Sequence, residues 1–187
     1  MKAMLIKTPT GLRGATPADQ AREVREMLDY DPATGRLTWK ADRFCWNGRR
    51  RHVAAGQEAG FISTQTGYRM VSVFNRPYMA HRLAWLHMTG DWPAADIDHM
   101  NGDRADNCWH NLRDVRRQVN LQNIRAAKGH KKHGTLLGTA WHAKTQRWRA
   151  LIKVDGKQKS LGYFPTEAEA HAAYVEGKRR LHEGCTI

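Results

Sequence analysis

The chain has 187 residues, 41% of them hydrophobic, with 31 Lys and Arg against 18 Asp and Glu, a net charge of +13 and a pI near 10.1. That length allows one large or two small domains, and the seven Trp are enough to anchor several small cores. The charge points to a polyanionic partner, while no apolar run approaches the roughly 20 residues that span a bilayer, which argues against a membrane protein. Nothing at the N-terminus combines the charged, apolar and cleavage regions of a signal peptide, so a cytoplasmic location is expected. The three cysteines, Cys45, Cys108 and Cys185, are far apart, odd in number and without a CxxC pair. They fit reduced thiols, not a structural zinc site.

Residues 1 to 15 show no clear period beyond an early strand at Met4 to Lys7. Thr16-Pro17 opens a helix with a suitable cap and a proline in its first turn. Val24, Met27 and Leu28 give that helix an apolar face, and Asp29-Tyr30-Asp31-Pro32 ends it. Asp31 to Gly35 reads as a turn into a strand from Arg36 to Lys40. Residues 41 to 57 are basic and irregular. Their run Arg49-Arg50-Arg51-His52 is either a solvated loop or a phosphate clamp, since Lys and Arg displace counterions from nucleic acid. From Gly60 strands follow at Phe61 to Ser63 and Tyr68 to Phe74, with turns at Thr66-Gly67 and Asn75-Arg76-Pro77. Ala80 to Thr89 reads as a helix stopped by Gly90, with Leu83, Trp85, Leu86 and Met88 as core. His81 is either a phosphate-positioning group or a buried structural histidine.

The stretch from Ile97 to Asn123 is the most informative. It reads as a strand, a Gly-containing loop, a short second strand and a helix starting near Asp114, capped by that aspartate and striped by Val115 and Val119. Asn120 lies about a third of a turn from the stripe, free to face the hairpin that carries Asp98 and His99. A carboxylate, an amide oxygen and an imidazole then converge. Hard oxygen ligands suit Mg2+ or a similar cation, and an adjacent histidine suits a general base near neutral pH. Those residue types outline a phosphodiesterase site.

Asp98-His99, Asn111-Leu112-Arg113 and Asn120 resemble the HNH nuclease motif, in the homing-endonuclease branch that ends His-Asn-Asn. His81 to Trp85, Gly90-Asp91-Trp92-Pro93 and Asp106-Asn107 resemble the same branch, and Leu28 to Lys40 resembles the start of many phage HNH proteins. The resemblance implies that His99 is the base, that Asp98 and Asn120 hold one divalent metal, and that Asn111 braces the hairpin. With an oxygen ligand in place of the terminal His, the implied ion is Mg2+ or Mn2+, one per site, and not zinc. Arg82, Arg113 and Arg117 are candidates for phosphate contacts.

Residues 126 to 137 are short, basic and glycine-containing and read as a linker lying along DNA. From Gly138 the pattern alternates through Trp141 and then Trp148, Ala150, Ile152 and Val154, turns at Asp155-Gly156, and forms a third strand from Lys159 to Tyr163. Thr166 and Glu169 make a capping box for a last helix, with Lys178, Arg179 and Arg180 at its negative end and Ala168, Ala172 and Val175 spaced to lie on the sheet. From Arg125 onward there are 13 Lys and Arg against 5 Asp and Glu, so the last third carries +8 of the net charge. Gly138 to Trp141, Trp148-Arg149-Ala150, Leu161 to Phe164 and Ala172-Ala173-Tyr174 resemble the ethylene-response-factor (APETALA-type) DNA-binding domain. That resemblance implies a sheet reading the major groove through His142, Lys144, Arg147, Arg149, Lys153, Lys157 and Lys159. Arg149 is the guanine reader, and Trp141 and Trp148 are either core anchors or stacking residues.

The expected fold class is α+β: a β-rich N-terminal region, a ββα-metal nuclease motif, then a three-stranded antiparallel sheet on one helix. The expected boundaries are 1–57 for a helix and basic region, 58–125 for the nuclease domain with its core at 95–125, 126–137 for the linker and 138–187 for the DNA-binding domain. The expected activity is a homing-type, phage-type DNA endonuclease that nicks duplex DNA as a monomer, without an obligate protein partner. The alternatives are a DNA-binding protein with a degenerate nuclease site and a non-specific nuclease.

Overall fold

A computed structural model describes residues 15–44, 51–124 and 134–186. The expected strand at Met4 to Lys7, Cys45, Arg49, Arg50 and most of the linker lie outside them. The fold is mixed α and β, with four helices and several small sheets among the described residues, and the chain divides into two compact units. The first unit takes residues 1–99 and 103–114; the second takes 100–102 and 115–187.

In the first unit, α1 (Pro17–Met27) begins at a capping box: Asp19 N–H donates to Thr16 Oγ1 at 3.2 Å, and Thr16 N–H donates to Asp19 Oδ2 at 3.2 Å. The chain then leaves the helix directly into β1 (Leu28–Asp31), which pairs antiparallel with β2 (Arg36–Trp39). Leu28, Tyr30, Leu37 and Trp39 are the buried residues of these strands, and their partners across the alternation face out. Asp31 closes the connecting turn by accepting from Ala33 N–H at 2.9 Å and Thr34 Oγ1 at 2.6 Å. Gly35 ends the turn at φ 71°, and a Cβ there would overlap the backbone of Asn107 and Cys108.

Residues 41 to 57, expected to be irregular, contain a short antiparallel pair, β3 (Arg43–Phe44) and β4 (Arg51–Val53). Next, β5 (Phe61–Ile62), β6 (Arg69–Val73) and β7 (Arg76–Met79) form an antiparallel sheet. The turn before β7 falls at Phe74-Asn75, not at residues 75–77: both take positive φ, the mirror-image turn that matches strand twist, and Arg76 and Pro77 belong to the strand. Helix α2 (Ala80–Thr89) ends at Gly90 in the left-handed region, whose N–H donates to Leu86 O at 2.9 Å. Its Ala80, His81, Leu83, Ala84 and Leu86 are buried, whereas Met88, expected in the core, is 40% exposed. One hydrophobic core runs from Ala21 through Leu112, with α1 packed on α2. The unit closes with β8 (Asp96–His99), paired with β9 (Leu112–Val115).

The second unit begins its helical part at α3 (Arg117–Gln122). The expected helix start at Asp114 is displaced. Asp114 lies in β9, and its carboxylate accepts from Ala94 N–H at 2.7 Å and Ala95 N–H at 2.9 Å. Two such backbone donors outcompete a helix cap for the carboxylate. The strands β10 (Thr139–His142), β11 (Arg147–Val154) and β12 (Lys157–Phe164) form an antiparallel sheet, with a register shift between Ala150 and Leu151. Helix α4 (Glu167–Leu181) has the expected capping box between Thr166 and Glu169. Its buried stripe is Ala170, Tyr174, Gly177 and Lys178; Ala168 and Ala172 face solvent. The expected stripe was built from small apolar residues, but the covered one holds a tyrosine, a glycine that lies against Leu161, and a lysine whose Nζ donates to Ile124 O at 2.5 Å. Among the described residues, no helix is long and apolar enough to cross a membrane.

Gly35 and Gly56 both need positive φ, but nothing lies within 4 Å of a Cβ at Gly56. Gly56→Ala should cost about 1–2 kcal/mol of backbone strain. Gly35→Ala should cost about 2–3 kcal/mol more, because it also forces backbone apart. Urea unfolding checks the contrast, and equal losses would refute the close approach of the turn to residues 107 and 108.

Candidate functional site

Strand β8 departs from simple alternation: Ile97, Asp98 and His99 are all buried, so both faces of the strand are covered at its end. A carboxylate and an imidazole buried side by side need partners, because an unpaired polar group in that setting is costly. Arg113 on β9 supplies one, its Nε and Nη2 donating to Asp98 Oδ2 at 2.9 and 2.7 Å. For His99 it is Asn107, whose Oδ1 lies 3.2 Å from the ring Nε2. Two further rings pack against His99: His81 edge-on with centroids 5.0 Å apart and Tyr68 tilted at 5.8 Å. Tyr68 carries the Arg104 guanidinium 5.1 Å over its face, and Arg104 Nη1 donates to Thr66 O at 2.8 Å.

The loop between β8 and β9 is held by its own polar residues. Asn111 donates from Nδ2 to Asp106 O at 2.8 Å, Cys108 N–H donates to Asp106 Oδ1 at 3.1 Å, and Asn107 Nδ2 donates to Ala105 O at 3.1 Å. From outside, Tyr30 O–H donates to Asn107 O at 2.7 Å and Trp109 N–H donates to Pro32 O at 2.9 Å. These bonds place Asn111 against the stretch that carries Asn107, one step away from the histidine. Asn107, 2% exposed, and Tyr68 were not among the expected site residues. The only sequence hint of Asn107 was the Asp106-Asn107 pair, because a buried amide is invisible without its neighbours.

Burial holds the His99 imidazole below its ordinary 6.5, against the opposing pull of Asn107, Asp98, Asp106 and Asp103, so the ring is neutral at neutral pH. A hydrogen bond to Asp106, with burial, pushes the Cys108 thiol up to about 11, so it stays protonated and is a poor nucleophile. Among the described residues, no three His, Cys, Asp or Glu gather to hold a metal. An ion held beside Asp98 would share that carboxylate with Arg113, which fits a hard cation that takes most of its ligands from water and phosphate. Asn120 lies half-buried on α3 and Arg117 exposed at its start, both in the second unit. Arg82 is half-buried, with Nη1 3.5 Å from Ala95 O.

In the second unit, cross-strand pairing sorts the basic candidates by face. His142 pairs with Arg147, Arg149 with Tyr163, and Lys153 with Gln158 on the outer face of the sheet. Trp141, Trp148 and Phe164 share the other face with the buried Ala150 and Ile152, on the side where α4 packs. By the same register Lys157 and Lys159, paired with Val154 and Ile152, leave the strand on that second face, although both are exposed. Lys144 is exposed in the turn between β10 and β11. Arg149 Nε donates to Ser160 Oγ at 3.0 Å with its guanidinium 5.7 Å over Tyr163, and His142 meets the same ring edge-on at 5.1 Å. Tyr163, 41% exposed, therefore sits among the outward cations.

Residues 78–122 match the family model of an HNH endonuclease. The match supports a nuclease that acts on DNA and covers Asp98, His99, Asn111 and Asn120. No curated protein and no solved structure matches the chain.

Burial, then the neighbouring His99 and Arg82, pushes the His81 imidazole down to about 3 from its ordinary 6.5. Below pH 6.5 the unfolded chain takes up a proton that the folded one refuses. Stability should therefore fall as pH drops from 6.5 towards 3, by up to about 1.4 kcal/mol per pH unit. Urea midpoints at pH 7.5 and 5.5 check this: His81→Phe should lose less across the step than the natural chain, and equal losses would overturn it.

Proposed function

We propose that the protein is a site-directed, homing-type DNA endonuclease in which His99 draws a proton from the water that attacks a phosphodiester. The observation that carries this reading is the buried, neutral His99 beside Asp98 inside the segment that matches an HNH endonuclease. A neutral imidazole has the lone pair that a base needs at pH 7. Asp98 would hold Mg2+ or Mn2+, and the sequence resemblance implies Asn120 as its second protein ligand; Asn111 would brace the loop through Asp106. The ion, when bound, supplies positive charge to the phosphate and to the leaving 3′ oxygen. In this reading Arg104, exposed over Tyr68, and Arg82 would contact backbone phosphates. The domain at 138–187 fixes register on the duplex through His142, Arg147, Arg149 and Lys153, with Lys144, Lys157 and Lys159 holding phosphates from outside that face. One site in a monomer cuts one strand per visit, so the product is a nick.

A second reading is favoured by one specific contact. Arg113 already gives Asp98 a cationic partner, so a DNA-binding protein with an inactive metal site would look the same at this carboxylate.

Incubating supercoiled plasmid pools with Mg2+ separates the two. Nicks at a defined sequence that disappear in His99→Ala, with DNA binding retained, are the expected result; cleavage by His99→Ala at the natural rate sinks the base assignment, and no cleavage by either protein favours the binding protein. Arg149→Ala should weaken specific binding by about 1–3 kcal/mol and relax preference at one base pair. Gel-shift competition at fixed salt reads this, and an unchanged site preference rejects Arg149 as a base reader.

A further inference from the structure

We propose that Asn107 is a positioning residue for His99: its side-chain oxygen fixes the imidazole as the Nε2–H tautomer and so makes Nδ1 the basic atom. This rests on the reading that His99 accepts the proton. The assignment follows from which atoms can donate. Asn107 Nδ2 lies 3.1 Å from the carbonyl oxygen of Ala105, and a carbonyl only accepts. Turning the amide over would set two acceptors against each other with no proton between them. The end facing His99 is therefore Oδ1, 3.2 Å from Nε2, and it too only accepts. The ring must donate from Nε2. A neutral imidazole carries one N–H, so its lone pair is on Nδ1.

The amide is in turn hard to move. Asn107 is 2% exposed, its main-chain oxygen accepts from Tyr30, and Asn111 holds the preceding carbonyl at Asp106. The Gly35 turn abuts its backbone so closely that no side chain fits between them. The rings of His81 and Tyr68 limit rotation of His99 from two sides. A side chain so constrained passes its own fixed geometry on to the imidazole. Wrong-tautomer histidine is inactive as a base even when its position is right.

Nitrogen-15 correlation spectra of histidine side chains at pH 7.5 test this on the natural chain. His99 should show the Nε2–H tautomer with a slowly exchanging ring proton; an Nδ1–H ring overturns the proposal without any variant. Asn107→Leu, close in shape but without an acceptor, should lose that protected proton and lower kcat by roughly 10- to 100-fold at unchanged KM. Asn107→Asp keeps an acceptor toward Nε2 but sets its second oxygen against Ala105 O, so it should retain the ring proton better than Asn107→Leu while lowering stability. If Asn107→Leu keeps the protected proton, or loses it and still nicks supercoiled plasmid at the natural rate with Mg2+, Asn107 does not position the base. If instead His99→Ala cuts at the natural rate while the tautomer is as stated, the base reading has failed and the hydrogen bond stands as structure only.

Discussion

Burying a carboxylate and an imidazole next to each other in β8 is the constraint on which the first unit depends. Neither group tolerates a dry environment without a partner, and the fold supplies a different one to each: the fork of Arg113 for Asp98 and the amide of Asn107 for His99. The two partners come from different segments, one from the paired strand β9 and one from the loop that leads to it. That arrangement favours the neutral imidazole and sets a guanidinium against the carboxylate. It also explains why the loop is so densely bonded to itself, since a loose Asn107 would leave His99 with a buried and unsatisfied nitrogen.

The N-terminal hairpin is part of this arrangement. Tyr30 and Pro32 bond to the backbone at Asn107 and Trp109, and Gly35 allows the turn to touch the loop directly. Burial keeps the Tyr30 phenol protonated far above neutral pH, so its donated hydrogen bond persists across the working range. Residues about 70 positions from His99 in sequence thus decide how rigidly its partner is held. In the mechanism proposed above, that rigidity keeps the base in place for proton transfer.

The second unit separates its roles by strand pairing. On one face of the sheet Ala150 and Ile152 lie under α4, with the Trp141–Trp148 pair on the same side. The other face carries His142, Arg147, Arg149 and Lys153 around Tyr163. An arginine whose Nε is taken by Ser160 and whose plane lies near an aromatic ring has lost much of its conformational freedom before any partner arrives. Such a side chain is better suited to reading a fixed pattern of acceptors than the exposed lysines of the other face, which remain point charges on flexible stems.

Much of this was legible in the sequence. The capping boxes at Thr16 and Thr166, the helix ending at Gly90 and the strand alternation from Trp148 to Val154 were readable because each depends on residues within a few positions of one another. The resemblance to an HNH motif was readable because the motif is short, and the family match over residues 78–122 agrees with it. What the sequence alone could not determine were the partners. Asp114 reads as a helix cap until Ala94 and Ala95 are brought to it, and the face of α4 that is covered includes Lys178, a residue that single-helix patterning assigns to solvent. Lys157 and Lys159 part from Arg149 only once the register of β11 and β12 is known. Asn107 becomes the contact of His99 only when the loop folds back. Local propensity and motif chemistry are written in neighbouring residues; the choice of which distant group satisfies a buried polar atom is made by packing, and only the tertiary structure contains it.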